Sequence, residues 1–186
     1  DLAHIEGFLF FNEALIEKVL TTADAAGCRI SLDLASFEVV HAASKTLPAL
    51  LEKHVDIVFA NEEEAAAFTG IEDDYPAMAL ALNKFCKVAA VKAGPGGSYI
   101  ACDGKVEFIS AIKVPQVVDT TGAGDLWAAG FLYGLSKNCD LATCGHLGSL
   151  LGAAAVETLG AYLSEATWDK LLPTISEMTE SLANKA

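Results

Sequence analysis

The stretch VVDTTGAGDLWAAGFLYGL, Val117 to Leu135, decides how this chain is read. Val117 and Val118 read as the end of an apolar strand, and the run from Asp125 to Ser136 reads as an apolar helix, with a bend of small residues between them. Gly122 and Gly124 flank Ala123, so the backbone can turn tightly and approach a ligand closely, because little projects from it. Asp125 falls at or just inside the start of the helix, where unpaired amide donors and the positive end of the helix dipole gather. That combination attracts anions. It leaves two roles open for Asp125, a general base or an ordinary helix cap.

With 186 residues, 53% of them hydrophobic, the chain can bury one substantial core, with or without a small appendage. It opens on Asp1 rather than methionine, and Leu2 to Phe11 already reads as the middle of an element with no charged leader, so a fragment or trimmed chain is expected. The longest apolar runs, such as Leu147 to Val156, reach about half of the roughly 20 residues a spanning helix needs. A soluble, cytoplasmic protein with no membrane partner is the expectation. The formal charge of −13, from 25 acidic and 12 basic residues, would repel a nucleic-acid backbone or an anionic membrane surface. Arg29 is the sole arginine, so phosphate recognition must rest on backbone amides, lysine or a metal. Cys28, Cys86, Cys102, Cys139 and Cys144 form no C-x-x-C pair, which suits reduced, mostly buried thiols. Cys139, Cys144 and His146 amount to half a metal site without a second pair, and no metal is assigned to them.

Outward from the bend, the rhythm is strand, helix, strand, helix. Ile5 to Phe11 reads as a strand; Asn12 caps a helix over Glu13 to Ala26 that Gly27 stops; Arg29 to Leu34 is the next strand. Phe37 to Lys53 is helical but interrupted by Pro48, and is expected as two pieces with a kink. Val55 to Ala60 is a strand ending at Asn61, which caps a helix from Glu62 to Thr69 closed by Gly70. A helix to about Phe85 precedes a strand at Val88 to Lys92, and the turns at Gly94 to Gly97 and Asp103-Gly104 lead into antiparallel strands at Ser98 to Cys102 and Lys105 to Ala111. Helices follow over Leu141 to Thr158 and from Thr167 to about Ala183. The expected fold class is α/β: a three-layer, mostly parallel sheet with helices on both faces and antiparallel strands added late. In such sheets ligands sit beyond the carboxyl ends of strands, so the loops at Asn61, Gly94 and Gly122, each read as following a strand, should share one rim.

Three nucleotide-site patterns can be compared with that rim. No glycine-lysine-hydroxyl run exists, which excludes a Walker loop. The dinucleotide pattern G-x-G-x-x-G fails where Trp127 stands in place of the third glycine, a point of close helix and strand packing. The third pattern is a glycine turn whose amides hold a transferring phosphoryl group while the following acid takes the acceptor's proton. Gly122 to Asp125 fit it, because phosphoryl transfer requires positioning and charge stabilisation more than covalent chemistry.

Asp119 to Leu132, DTTGAGDLWAAGFL, resembles position by position the carboxy-terminal signature of the PfkB family of carbohydrate and nucleoside kinases, which have the ribokinase-like fold. Two further elements occur in the family's order: Asn61-Glu62-Glu63-Glu64 resembles its N-x-x-E element, and Val91 to Gly97, VKAGPGG, its strand and turn at the ATP site. The resemblance covers essentially all of residues 1–186, and corresponds to the carboxy-terminal part of a single ribokinase-like kinase domain. It implies ATP-dependent phosphoryl transfer to a hydroxyl of a sugar or nucleoside, with Asp125 as catalytic base and Gly122, Ala123 and Gly124 as the anion hole. Asn61 and Glu64 would organise Mg2+ and the phosphates through water; taken alone they are equally a helix cap with solvated glutamates. Gly94 and Gly97 would line the nucleotide pocket, or form only a hairpin turn. Lys92 stands where many relatives carry threonine, as a phosphate contact or a solvated strand end.

Gly148 to Ala161 resembles the helix and loop over the adenine, with Ser149 toward the nucleotide and Gly152 allowing a flat base to approach, or else serving tight helix packing. Asp119 and Thr121 with the Gly160 loop would be the K+ or Na+ region if this member has one. The family's acceptor-binding aspartate, glycine-rich loops and β-sheet lid belong to the earlier half and have no counterpart here. The isolated segment is therefore expected to be inactive, and a homodimer would form through that lid. A nucleotide-binding module of this fold without catalysis is the alternative.

Overall fold

The computed structural model describes residues 1–180. They divide into two compact units, Asp1–Ala93 with Tyr99–Phe108, and Gly94–Ser98 with the chain from Ile109 onward.

The first unit carries a six-stranded sheet in chain order: β1 (Leu2–Glu6), β2 (Arg29–Asp33), β3 (Ile57–Asn61), β4 (Val88–Lys92), β5 (Ser98–Cys102) and β6 (Lys105–Ile109). The first four strands are parallel, with Glu6 opposite Asp33, Asp33 opposite Phe59, and Asn61 opposite Lys92. The links into β5 and β6 are too short for a parallel crossover, so the last two strands run antiparallel. In the second of those links Asp103 and Gly104 both have positive φ, 50° and 71°, the geometry of a two-residue hairpin turn. Consecutive residues of β2, β3 and β4 are buried, so both faces of the sheet are covered. The fold class read from the sequence therefore holds.

Five helices belong to this unit: α1 (Glu13–Ala25), α2 (Phe37–Ala42), α3 (Leu47–His54), α4 (Glu62–Thr69) and α5 (Tyr75–Leu82). Each places an apolar stripe in one core, through Ile16 and Leu20, Val39 and Val40, Leu47 and Leu51, Ala65, and Met78 and Leu82. Asn12, Ser36, Asn61 and Asp74 cap four of them with side-chain oxygens, as their position before each apolar run dictates.

The first strand differs from expectation. It ends at Glu6, and Gly7–Phe11 is a 3-10 turn, leaving Phe8 and Phe11 exposed. Gly7 passes so close to the end of β2 that a Cβ there would lie 2.7 Å from the carbonyls of Asp33 and Leu34, and the chain turns away. The two pieces expected around Pro48 are α2 and α3, with the proline in the first turn of α3, where its missing N–H costs nothing. The helix expected to reach Phe85 stops at Leu82, because the Asn83 side chain donates to the carbonyls of Cys86 and Lys87 and closes the turn into β4.

The second unit carries α6 (Ala123–Ser136), α7 (Leu141–Val156) and α8 (Glu165–Glu180). The end expected for α8, near Ala183, lies outside the described residues. Helices α6 and α7 pack through glycines: a Cβ on Gly130 would lie 2.5 Å from the Leu147 carbonyl, and one on Gly148 2.9 Å from the Trp127 ring. Leu147, Leu151 and Ile175 join α7 to α8. No strand leads directly into Gly122. Val117 and Val118 are more than half exposed, and the Val118 amide donates to the Val156 carbonyl at the end of α7 rather than to a strand. Of the cysteines only Cys139 and Cys144 are buried, and all five are free thiols. Among the described residues no helix is long and apolar enough to cross a membrane, and no cluster of ligands that could hold a metal ion occurs.

Candidate active site

In the first unit, the carboxyl ends of β2, β3 and β4 bring Asp33, Asn61 and Lys92 onto one face of the sheet, since the register places residues two apart on the same side. Asn61 and Glu64 form a reciprocal cap. The Asn61 side-chain oxygen accepts from the Glu64 amide at 2.8 Å, and the Glu64 carboxylate accepts from the Asn61 amide and from Asn61 Nδ2, each at 2.8 Å. Glu64 is only 3% exposed. Burial, with the Asp33 and Glu62 charges adding to it, pushes its carboxyl up to about 7, against the pull of the Asn61 amide and Lys92.

Lys92 is not a solvated strand end. Its Nζ donates to Asp33 Oδ2 at 2.8 Å, and both side chains are largely buried. Asp33 is the residue the sequence reading missed. The signal was present, since Asp33 closes an apolar strand as Asn61 and Lys92 do.

The second unit holds the remaining residues. Gly94 is exposed with φ 49°, Gly97 is buried with φ 91°, and the Gly97 amide donates to the Gly94 carbonyl at 3.1 Å, closing a tight turn. Gly122 caps α6 with φ 75°, and a Cβ on it would lie 2.5 Å from Ala161 Cβ. The Ala123 amide is donated to the Thr120 carbonyl, so it is not free to meet an anion. The amides of Gly122, Gly124 and Asp125 have no acceptor among the described residues, as the first turn of a helix requires. The Asp125 side chain is exposed at the third helical position and makes no capping bond.

Asp119 organises the approach to this turn. Its Oδ1 accepts from the Thr121 amide and hydroxyl at 2.9 and 2.7 Å, and its Oδ2 accepts from the Gly160 amide at 2.8 Å. These bonds, the Thr121 amide first, hold its carboxyl below the usual value. The structure thus brings Asp119, Thr121 and Gly160 together. Ser149 is buried in α7, and a Cβ on Gly152 would lie 3.4 to 3.5 Å from Trp127 and the Ala123 carbonyl, an ordinary contact. The glycines that helix packing demands are therefore Gly130, Gly134 and Gly148, and not Gly152.

The sequence model for the pfkB family of carbohydrate kinases matches residues 1–168. A nucleoside kinase of Methanocaldococcus jannaschii is 32% identical over 138 residues, which cover 72% of this chain and 43% of that protein. Among solved structures, a probable sugar kinase of Rhizobium etli matches with a TM-score of 0.84 at 30% identity, covering 94% of this chain and 54% of that one. An adenosine kinase of Sinorhizobium meliloti matches with the same score and identity over 93% of this chain and 54% of its own. The chain spans about half the length of these relatives. By sequence and by fold alike, it belongs to the pfkB family of carbohydrate kinases.

Proposed function

We propose that the protein transfers the terminal phosphoryl group of ATP to a hydroxyl of a sugar or nucleoside. The observation that carries this reading is the start of α6, where the exposed Asp125 carboxylate, with no capping bond, adjoins amides that lack an acceptor. Asp125 is the base: its carboxylate accepts the hydroxyl proton as that proton becomes acidic in the transition state. The anion hole is read on the amides of Gly122, Gly124 and Asp125 rather than Ala123, and these donors suit charge developing on the transferring group. The Gly94–Gly97 turn, Ser149 and Gly152 serve the nucleotide.

The donor set of the first unit suits a hydrated magnesium ion more than a bare one. Both Glu64 oxygens are engaged by Asn61, so Glu64 and Asn61 would hold the ion through water, and the ion would supply charge neutralisation on the phosphates. Asp119, with both oxygens already accepting, fixes the Thr121 and Gly160 loops; a potassium ion there would draw on backbone carbonyls. The reading concerns the protein of which this chain forms the matched part, with its acceptor-binding portion included.

An ADP-release screen of the full-length product with ribose, fructose, adenosine and related nucleosides tests it. Turnover with at least one of these is expected, together with a rise in melting temperature on adding ATP and magnesium. A melting shift without turnover on any acceptor would mark a nucleotide-binding module instead, and no shift at all would remove the nucleotide.

A further inference from the structure

Lys92 is a long side chain lying across a whole strand. It springs from β4 and reaches past β3 to the last residue of β2, about two strand spacings or roughly 10 Å away, to place its ammonium 2.8 Å from Asp33 Oδ2. Asp33 is itself fixed. Its other oxygen accepts from the Ala35 amide at 2.9 Å, across a turn in which Ala35 adopts φ 68°, a conformation alanine rarely takes. The Ser36 amide closes the same turn on the Leu34 carbonyl at 2.8 Å. Both side chains of the pair are nearly buried, with 13% and 11% exposure, so neither swings freely in solvent. An ammonium carries three donors, and the bond to Asp33 is the one it makes among the described residues.

We propose that Asp33 is a positioning residue: the carboxylate, locked by the Ala35 turn, holds the Lys92 ammonium at the carboxyl end of β4 with its remaining donors directed to a nucleotide phosphate. The inference rests on the nucleotide reading above and deepens it by assigning the one lysine of the rim a phosphate and naming the residue that aims it. A lysine aimed in advance loses little rotamer freedom when phosphate arrives, so Asp33 and Lys92 act as one element.

The test is calorimetric titration of the full-length product with ATP and, separately, with adenosine, for the unsubstituted chain, Asp33→Asn, Lys92→Met and the double variant. In Asp33→Asn the amide keeps the acceptor for Ala35 and turns its NH2 toward Lys92. The double variant removes both charges together, so it escapes the instability of a lone buried ion. Lys92→Met should weaken ATP binding by about tenfold, the loss of one charge-assisted contact, and leave adenosine binding unchanged. Asp33→Asn should weaken ATP by about threefold to tenfold with adenosine again unchanged, and the double variant should match Lys92→Met alone, because the two act as one.

Equal losses for ATP and adenosine would make the pair merely structural and overturn the proposal. Tighter ATP binding in Asp33→Asn would show that Asp33 competes with phosphate for the lysine, and would overturn it too. Additive losses would separate the two residues and do the same. If the unsubstituted chain binds no ATP, the nucleotide reading itself falls and takes this role with it; ATP binding indifferent to positions 33 and 92 overturns the roles of both residues and leaves the nucleotide reading standing.

Discussion

Asp119 and Gly160, on either side of helices α6 and α7, are joined by a 2.8 Å hydrogen bond from the Gly160 amide to Asp119 Oδ2. The same carboxylate holds Thr121, so one side chain ties the segment entering α6 to the loop leaving α7. Both loops flank the Gly122 turn, and Ala161, next to Gly160, is the residue on which Gly122 packs. The turn owes its shape to this bracing as much as to its own glycines.

Asp119→Ala should therefore loosen both loops without unfolding the helices. Amide hydrogen exchange at Gly160 and Thr121 is expected to speed up by at least about tenfold, with exchange in the middle of α6 and α7 unchanged. Unaltered exchange at Gly160 would show that the bond contributes nothing to loop order.

Gly122 and Gly160 both have positive φ, 75° and 77°, yet they should respond differently to alanine. At Gly160 a Cβ meets nothing within 4 Å, so Gly160→Ala should cost only the backbone strain, about 1 kcal/mol. At Gly122 the same strain adds to a 2.5 Å clash with Ala161, and Gly122→Ala should cost about 3 kcal/mol or more. Urea denaturation of the two variants side by side checks the difference; equal costs would remove the packing argument.

Asp125→Asn in the full-length product should lower turnover by at least about a hundredfold while ATP affinity changes little, since a general base acts on the acceptor's proton. Asp125 is exposed and makes no capping bond, so the substitution should shift stability by no more than about 0.5 kcal/mol. Loss of turnover accompanied by a large drop in melting temperature would point to a structural role instead.

Glu64 gives the protein a pH dependence of definite sign. Its carboxyl is raised from 4.5 to about 7, so the folded state holds this proton more tightly than the unfolded state does. The associated stability is full below 4.5 and is lost as pH rises toward 7. Between about pH 5 and pH 8, Glu64→Gln should gain on the unsubstituted chain by about 2 to 3 kcal/mol in unfolding free energy, because glutamine cannot ionise. Denaturation curves for both chains across that range decide it; a constant difference would mean that Glu64 ionises without penalty.

Much of this molecule was legible in its sequence, for a physical reason. Helix α4 was readable to the residue because its ends are set by local chemistry: Asn61 and Glu64 cap each other three positions apart, and Gly70 takes the left-handed conformation that closes the helix. Strands β4 and β5 were equally plain, as short apolar runs bounded by a glycine turn. The motif that carries the family, Asp119 to Leu132, lies within one stretch of chain, as do the unpaired amides at the start of α6.

What the sequence could not settle depends on contacts between distant positions. Val117 and Val118 have the composition of a strand, yet the amide of Val118 finds the end of α7 and no strand forms. The strand at Ile5 stops at Glu6 because Gly7 meets the carbonyls of Asp33 and Leu34. The partner of Lys92 lies 59 positions away, across a strand between them, and no local spacing announces it. Caps, turns and periodicity are short-range and determined by the sequence alone; a residue's burial, its charge partner and the path of an irregular loop are decided only when the folded chain brings remote groups within bonding distance.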